Sequence, residues 1–458
     1  MAILLAPNGW SASHAVRTCA LAACTALATW NGKSAMAQGL WDPAPVGPVG
    51  GWFEVEEGWE EPVAVVPWGS GGFAIGLNVY GEQGVSEPRL VLAEASGMVE
   101  TSVLAPQGTI GGMAAGNAGG MWVVWNEGTP STTSPEGSSA TVALAYFPSA
   151  PNGDTGLLVP TVGPIACPWA TPWVQAEALV ATEDGGALAV GWGLDPCCVH
   201  RELPFFWKVR ADGTPDPSFG WGGVAVVDVS AGTTVHPPGN PYHEAVDAGI
   251  PRHDIGGFFS CITAVEGGWA AGGGYSNGSA YELLLVRVDS TGNLDSGFGD
   301  EGMVRLDAFP GMSHYVDDLI SEEGRLVSLV AVPSNAEAES GCVAWVVEAS
   351  GGSVGWEEAP LTGFRANRWV RAHGVLWAIG LLPEGGRQVP AGLPWEGGFS
   401  APTKWPLNHG SHATYVRAAW HPDLAMLATV VQVAGDLPAE ADWGLRAWSP
   451  WVADRLRR

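Results

Sequence analysis

Short apolar runs interrupted by glycine-bearing turns organise the chain. Val63-Ala64-Val65-Val66 leads into Gly69-Ser70-Gly71-Gly72, and Phe73-Ala74-Ile75-Gly76-Leu77 leaves it. Two apolar runs joined by such a turn predict a β-hairpin. The arrangement recurs at Gly119-Gly120, Asp184-Gly185-Gly186, Glu266-Gly267-Gly268, Glu323-Gly324-Arg325, Ala372-His373-Gly374 and His421-Pro422-Asp423. These turns stand roughly 50 to 80 residues apart, near the length of a four-stranded propeller blade with insertions.

One sheet of this kind cannot bury both faces by itself, whereas blades packed around an axis bury both and protect their edges. The predicted fold is therefore all-β: a β-propeller of seven blades, each a four-stranded antiparallel sheet. Ala74, Ala189, Ala270 and Ala271 are expected on inner strands, with Phe206, Trp207 and Trp345 filling the gaps between blades. Trp52-Phe53-Glu54-Val55 is expected to complete the last blade beside Gly444 to Trp448, closing the ring.

A second repeat is more exact. The segment from Val288 aligns without a gap on the segment from Val209, each following an apolar run. The matched residues are Asp212-Gly213, Asp216, Phe219-Gly220 and Gly223-Val224 in one copy, and Thr291-Gly292, Leu294-Asp295, Phe298-Gly299 and Gly302-Met303 in the other. Each reads as a strand ending in a tight turn whose glycine takes positive φ. The pattern resembles the bacterial delta-60 repeat: apolar strand, Asp-Gly turn, Leu-Asp, then Phe-Gly. That resemblance implies a propeller-like repeat domain in cell-surface or secreted bacterial proteins, with no activity common to the family.

Composition agrees with a folded, turn-rich chain. There are 65 glycines, 35 prolines and 24 tryptophans in 458 residues, with 46% hydrophobic residues, too apolar for disorder. The formal net charge of −27 argues against nucleic acid and anionic membrane surfaces as partners.

Residues 1–37 read as a signal peptide, with Arg17, an apolar core through Trp30 and Ala35-Met36-Ala37 before Gln38. Leu21-Ala22-Ala23-Cys24 also resembles a lipoprotein box, which makes Cys24 an alternative site of lipidation. Residues 38–458 are expected to form one propeller domain, with long loops at about 230–257 and 383–404. No later apolar run is long enough to cross a membrane as a helix. The expected localisation is exported: secreted, periplasmic or an outer-membrane lipoprotein.

Candidate chemistry is sparse. His236, His243, Glu244, Asp247, His253 and Asp254 gather imidazoles and carboxylates in one long loop, the ligand types of a transition-metal site, although their spacing matches no known motif. Asp289 to Asp295 superficially resembles a calcium loop but lacks its ligand pattern, and such side chains also cap their own turns. No cofactor is expected; calcium or a transition metal is the alternative. Gly272-Gly273-Gly274 lacks the context of a phosphate loop, and no nucleophile elbow or zinc-protease motif occurs. The adjacent acids Glu60-Glu61 and Asp317-Asp318 would point to opposite faces of a strand and form no catalytic pair on their own.

No catalytic set is assigned. The expected role is a binding or scaffold module for protein or glycan at the cell surface, with its binding face on the interblade loops. The alternatives are a polysaccharide hydrolase or lyase, a metal-dependent oxidoreductase, or a purely structural repeat. Loop tryptophans beside glycine or proline, such as Trp41, Trp221 and Trp405, are the expected sugar-stacking surface if a glycan binds.

Overall fold

Seven antiparallel sheets follow one another along the chain. In this computed structural model, residues 50–448 are described except 54–58, 70, 82–85, 95–96, 129–140, 150–158, 170–172, 196–197, 236–255, 277, 333–340, 349–350, 352, 359–362, 373, 385–386, 396–398, 400–402, 405–411, 423–425 and 435–441. The innermost strands of blades 1 to 7 are Trp59–Trp68, Gly108–Ala115, Val174–Ala181, Gly257–Val265, Val316–Glu322, Arg365–Ala372 and His412–His421. Each lies against the innermost strand of the next blade, and that of blade 7 lies against that of blade 1. The result is a closed propeller around a central axis.

All seven hairpin turns read from the sequence join the first and second strands of a blade. Ring closure also follows the expected pairing. Gly50–Phe53 forms the outer strand of blade 7, with Gly50 opposite Arg446 and Phe53 opposite Trp443. This pairing ties the two ends of the described chain into one sheet.

The expectation of uniform four-stranded blades is corrected. Blade 3 has five strands, because Thr233–Val235 adds outside Val224–Asp228. Outer strands also vary in length, down to the two residues Thr403–Lys404 in blade 6. The insertion after residue 228 supplies the extra strand, and the long spacing at that point in the sequence reflects it.

Residues 383–404 are likewise not one loop. Arg387–Trp395 is the third strand of blade 6, paired along its length with Val375–Glu384. Pro390 and Pro394 suggest a loop, but Ala391, Leu393 and Trp395 are buried and hold the segment in the sheet. The alanines are displaced too: Ala74, Ala189, Ala270 and Ala271 are fully buried on second strands rather than innermost ones. The aromatic residues do fill interblade space. Trp207 packs with Trp122 and Leu144 of blade 2, Phe206 with Phe259 of blade 4, and Trp345 with Leu283 and Phe298 of the blade before it.

The repeated turn motif connects the third and fourth strands of blades 3 and 4. Gly213, Gly292 and Gly351 hold φ of 82°, 84° and 81° at equivalent places in blades 3, 4 and 5. A Cβ on Gly292 would lie 3.0 Å from the Gly220 nitrogen and 3.1 Å from the Phe219 ring; one on Gly351 would overlap the Gly299 nitrogen. The turns of blades 4 and 5 are thus set down on the Phe-Gly of the preceding blade, and the Gly220 N–H donates to the Thr291 carbonyl at 2.6 Å, whereas a Cβ on Gly213 would meet Val162 and Ile165 of blade 2. The glycine is needed twice, for its backbone angle and for the close approach. Phe219 and Phe298 are fully buried beneath these turns.

Gly292→Ala is expected to lower stability by about 1–3 kcal/mol, read as a reduced midpoint in urea unfolding. An unchanged midpoint would show that the turn is not pressed against blade 3.

Candidate functional site

Every innermost strand slips by one residue against its partner at the same place. The unpaired residues are Val63, Gly111, Glu177, Ser260, Asp317, Asn367 and Thr414, one in each blade. Such a bulge bends the strand and leaves local backbone groups without ladder partners. Neighbouring blades supply some of those partners. The Ile110 N–H donates to Asn78 Oδ1 at 2.8 Å, and Asn126 bridges both the N–H and the carbonyl of Ala176 at 2.8 and 3.1 Å. Ser260 Oγ donates to the Val316 carbonyl, Asp318 Oδ2 accepts from the Trp369 N–H at 2.6 Å, and Arg417 Nε donates to the Val63 carbonyl at 2.8 Å across the closure of the ring.

The bulge also decides which side chains remain open. Residues just before it, such as Ala176, Phe259, Val316 and Ala366, are buried. Glu177, Ser260, Asp317 and Asn367 at the bulge are half-buried, as are Gln175 and Phe258 two positions earlier, while Tyr315 at that position is 42% exposed. Blades 3 to 6 therefore carry half-buried polar residues at the bulge, with Phe258 and the exposed Tyr315 two positions earlier. The adjacent acids behave as strand geometry requires: Asp318 is buried while Asp317 is half-buried, and Glu60 is buried while Glu61 is half-buried beside the Tyr80 hydroxyl at 2.9 Å.

The aromatic part is built by close packing. Phe258 meets Tyr281 and Tyr315 edge-on, with ring centroids 5.2 and 5.5 Å apart. Gly273 and Gly274 face it from the second strand of blade 4. A Cβ on Gly273 would overlap the Phe258 carbonyl oxygen, and one on Gly274 would lie 2.7 Å from the Phe258 ring. Gly273 and Gly274 thus seat this platform, while Gly272 leaves room for Val316 and Cys261. Tyr281 in turn donates its hydroxyl to Glu202 at 3.0 Å, and burial together with that carboxylate pushes the phenol up to about 12.

The carboxyl at the blade 3 bulge has an unusual environment. Burial pushes Glu177 up to about 7, against the lowering effect of hydrogen bonds from Trp192 and Gln175, the latter at 2.6 Å. Tyr315 is raised by burial and then by the negative charges of Asp317 and Glu177, so its hydroxyl lies within the field of both. Arg417 feels Arg368, Asp318, Glu61 and Asp317; its charge is disfavoured first by burial, which brings it down to about 9. Arg368 Nε approaches Asp318 at 3.8 Å. Acidic and basic side chains of blades 1, 5, 6 and 7 therefore share one partly desolvated environment.

His236, His243, Glu244, Asp247, His253, Asp254 and Cys24 are outside the described residues. Among the described residues no group of three or more His, Cys, Asp or Glu is placed to hold a metal ion, and no helix is long and apolar enough to cross a membrane. The turn acids are engaged locally: Asp212 Oδ1 accepts from the Thr214 N–H at 2.9 Å, Asp289 Oδ1 from the Thr291 N–H at 2.8 Å, and Asp295 Oδ1 from the Gly297 N–H at 3.0 Å. Asp216 binds Lys208 Nζ at 2.9 Å; burial opposes its ionisation, but Ser218 and Lys208 hold it well below the usual carboxylate range. Trp221 is exposed, but Trp68, Trp169, Trp173 and Trp395 are buried, so no groove of exposed tryptophans forms among the described residues.

Below about pH 7 the folded chain retains a proton on Glu177 that the unfolded chain releases from about 4.5 upward. This group's contribution to stability consequently falls as pH rises through that window. Glu177→Gln should flatten the decline in urea midpoint between about pH 5 and about pH 8; an identical decline in the variant would assign it to other groups.

No model of a known protein family matches the chain, and no curated protein matches it. The delta-60 resemblance accordingly rests on the two motif copies alone. Among solved structures, the chain is similar to the β-propeller domain of the Trilobed protease from Pyrococcus furiosus, at 10% identity and a TM-score of 0.42 over 86% of this chain and 96% of that one. It is also similar to the polysaccharide lyase Uly1, at 13% identity and 0.49 over 87% and 94%. Trypanosoma rangeli sialidase is similar at 8% identity and 0.41 over 90% and 61%. None of these likenesses assigns a family or an activity; the chain is an all-β propeller.

Proposed function

We propose that the protein is an exported binding propeller whose ligand is a glycan, held at the bulge end of the central axis. The observation that carries this reading is the half-open row of Glu177, Phe258, Ser260, Tyr315, Asp317 and Asn367 across four consecutive blades. Sugars present apolar C–H faces and a rim of hydroxyls. An aromatic platform set among carboxyl and amide groups matches both features. The site draws on the innermost strands, so its geometry is fixed by the ring rather than by loops. The acidic chain disfavours polyanionic ligands such as nucleic acid.

Binding is tested by screening the full chain on a glycan array and measuring the best oligosaccharide by titration calorimetry. Phe258→Ala and Tyr315→Ala are each expected to weaken binding by roughly tenfold while leaving Trp221→Ala as wild type. Wild-type affinity in both variants, or no glycan bound by the parent chain, would overturn the reading.

A further inference from the structure

We infer that His314 is the positioning residue that holds Tyr315 in the aromatic platform, and that protonation of its ring releases the platform. The inference rests on the glycan-binding reading and adds what regulates the same site. Tyr315 is delivered by residues 307–314, the connection from the outer strand Met303–Leu306 of blade 4 to the innermost strand of blade 5. Within that connection His314 is 1% exposed, although Ser313 and Tyr315 on either side are exposed. A polar ring buried in this way must find its partners inside the protein.

Its hydrogen bonds all go to backbone. The Ala308 N–H donates to Nε2 at 3.1 Å, so Nε2 carries a lone pair; the proton sits on Nδ1, which donates to the Met312 carbonyl at 2.8 Å. The neutral imidazole thus crosslinks Ala308 to Met312, and Phe309 packs edge-on against it with centroids 5.2 Å apart. The adjoining main chain is fixed to blade 4. The His314 N–H donates to the Tyr281 carbonyl at 3.0 Å, and the Tyr281 N–H donates to Ser313 Oγ at 3.2 Å. Because the Tyr281 ring also meets Phe258, Tyr281 ties together the two members of the platform, Phe258 and Tyr315.

A second proton on the ring turns Nε2 from acceptor into donor. The Ala308 N–H then faces another N–H, and the Leu306 carbonyl, 3.4 Å from Nε2, is the acceptor toward which the protonated ring would move. Imidazole is the side chain whose charge ordinarily changes between about pH 5 and about pH 8. The platform is therefore held at the upper end of that range and loosened as pH falls. Titratable or charged side chains on the surrounding elements are Tyr281 and Glu282 of the third strand of blade 4, Arg305 of its outer strand, Asp307 of the connection, and Tyr315 and Asp317 of blade 5. Among the described residues the imidazole bonds to none of these side chains, only to backbone. Glu202 acts one step away, accepting from the Tyr281 hydroxyl.

The test follows hydrogen exchange of residues 307–315 in the full chain, corrected for the pH dependence of chemical exchange, together with affinity for the best-binding oligosaccharide. Both are measured from about pH 8 to about pH 5. The parent chain is expected to lose about tenfold in protection and in affinity as pH falls. His314→Gln, whose carboxamide oxygen can accept from the Ala308 N–H but does not titrate, should make both independent of pH, whereas His314→Ala should lower both throughout. Glu177→Gln should still show the loss of protection. Constant protection in the parent chain, an equal loss in His314→Gln, or a loss abolished by Glu177→Gln would overturn the assignment to His314. Lost protection with constant affinity would overturn its hold on the binding site. A chain that binds no glycan would overturn the binding reading, and the exchange measurements would then decide the role of His314 by themselves.

Discussion

Seven strands that converge on one axis crowd one another, and the bulge in each is the constraint on which the rest of the structure depends. A regular strand would place side chains alternately to its two sides for its whole length. The one-residue slip changes that alternation at the same level in every blade. Backbone groups released by the slip reach across to the neighbouring blade, so the bulges weld the ring while opening a row of side chains. Arg417 makes this contact between the last and first blades, where the outer pairing of Gly50–Phe53 adds a second closure.

A separate device works at the periphery. The positive-φ glycines of blades 4 and 5 rest on the Phe-Gly of the preceding blade, and the buried Phe219 and Phe298 fill the space beneath. Polar side chains inside these turns satisfy their own backbone. The acids Asp212, Asp216, Asp289 and Asp295 therefore carry the architecture, whereas Glu177 and Asp317 stand at the bulges of strands with no motif in common. The charge environment separates them: Asp216 is held ionised by Lys208 and Ser218, while burial keeps Glu177 protonated.

Much of this fold was legible in the alternation of apolar runs and glycine turns, since each first hairpin needs that pattern locally. Ring closure was legible for the same reason, because Trp52-Phe53 has the character of a strand without a local partner. The fifth strand of blade 3 was not, as Thr233–Val235 is too short to stand out. Pro390 and Pro394 concealed the third strand of blade 6, where burial overrides local preference. The candidate site was hidden because its members lie far apart in sequence and are aligned only by bulge position. The strand parity that separates Asp317 from Asp318 was readable; that Asp317 would share a row with Glu177 was not. Tryptophan abundance pointed away from the site, since interblade packing takes Trp122, Trp207 and Trp345.

The central claim is that ligand is held by the bulge row at the end of the axis. A crystal structure of the full chain soaked with its best-binding oligosaccharide tests it most directly. The account predicts a sugar ring on Phe258 and Tyr315, with hydroxyls within hydrogen-bonding distance of polar side chains at the bulges. A sugar seated on the outer turns or on the segment after residue 235, with the bulge row unchanged, would contradict it.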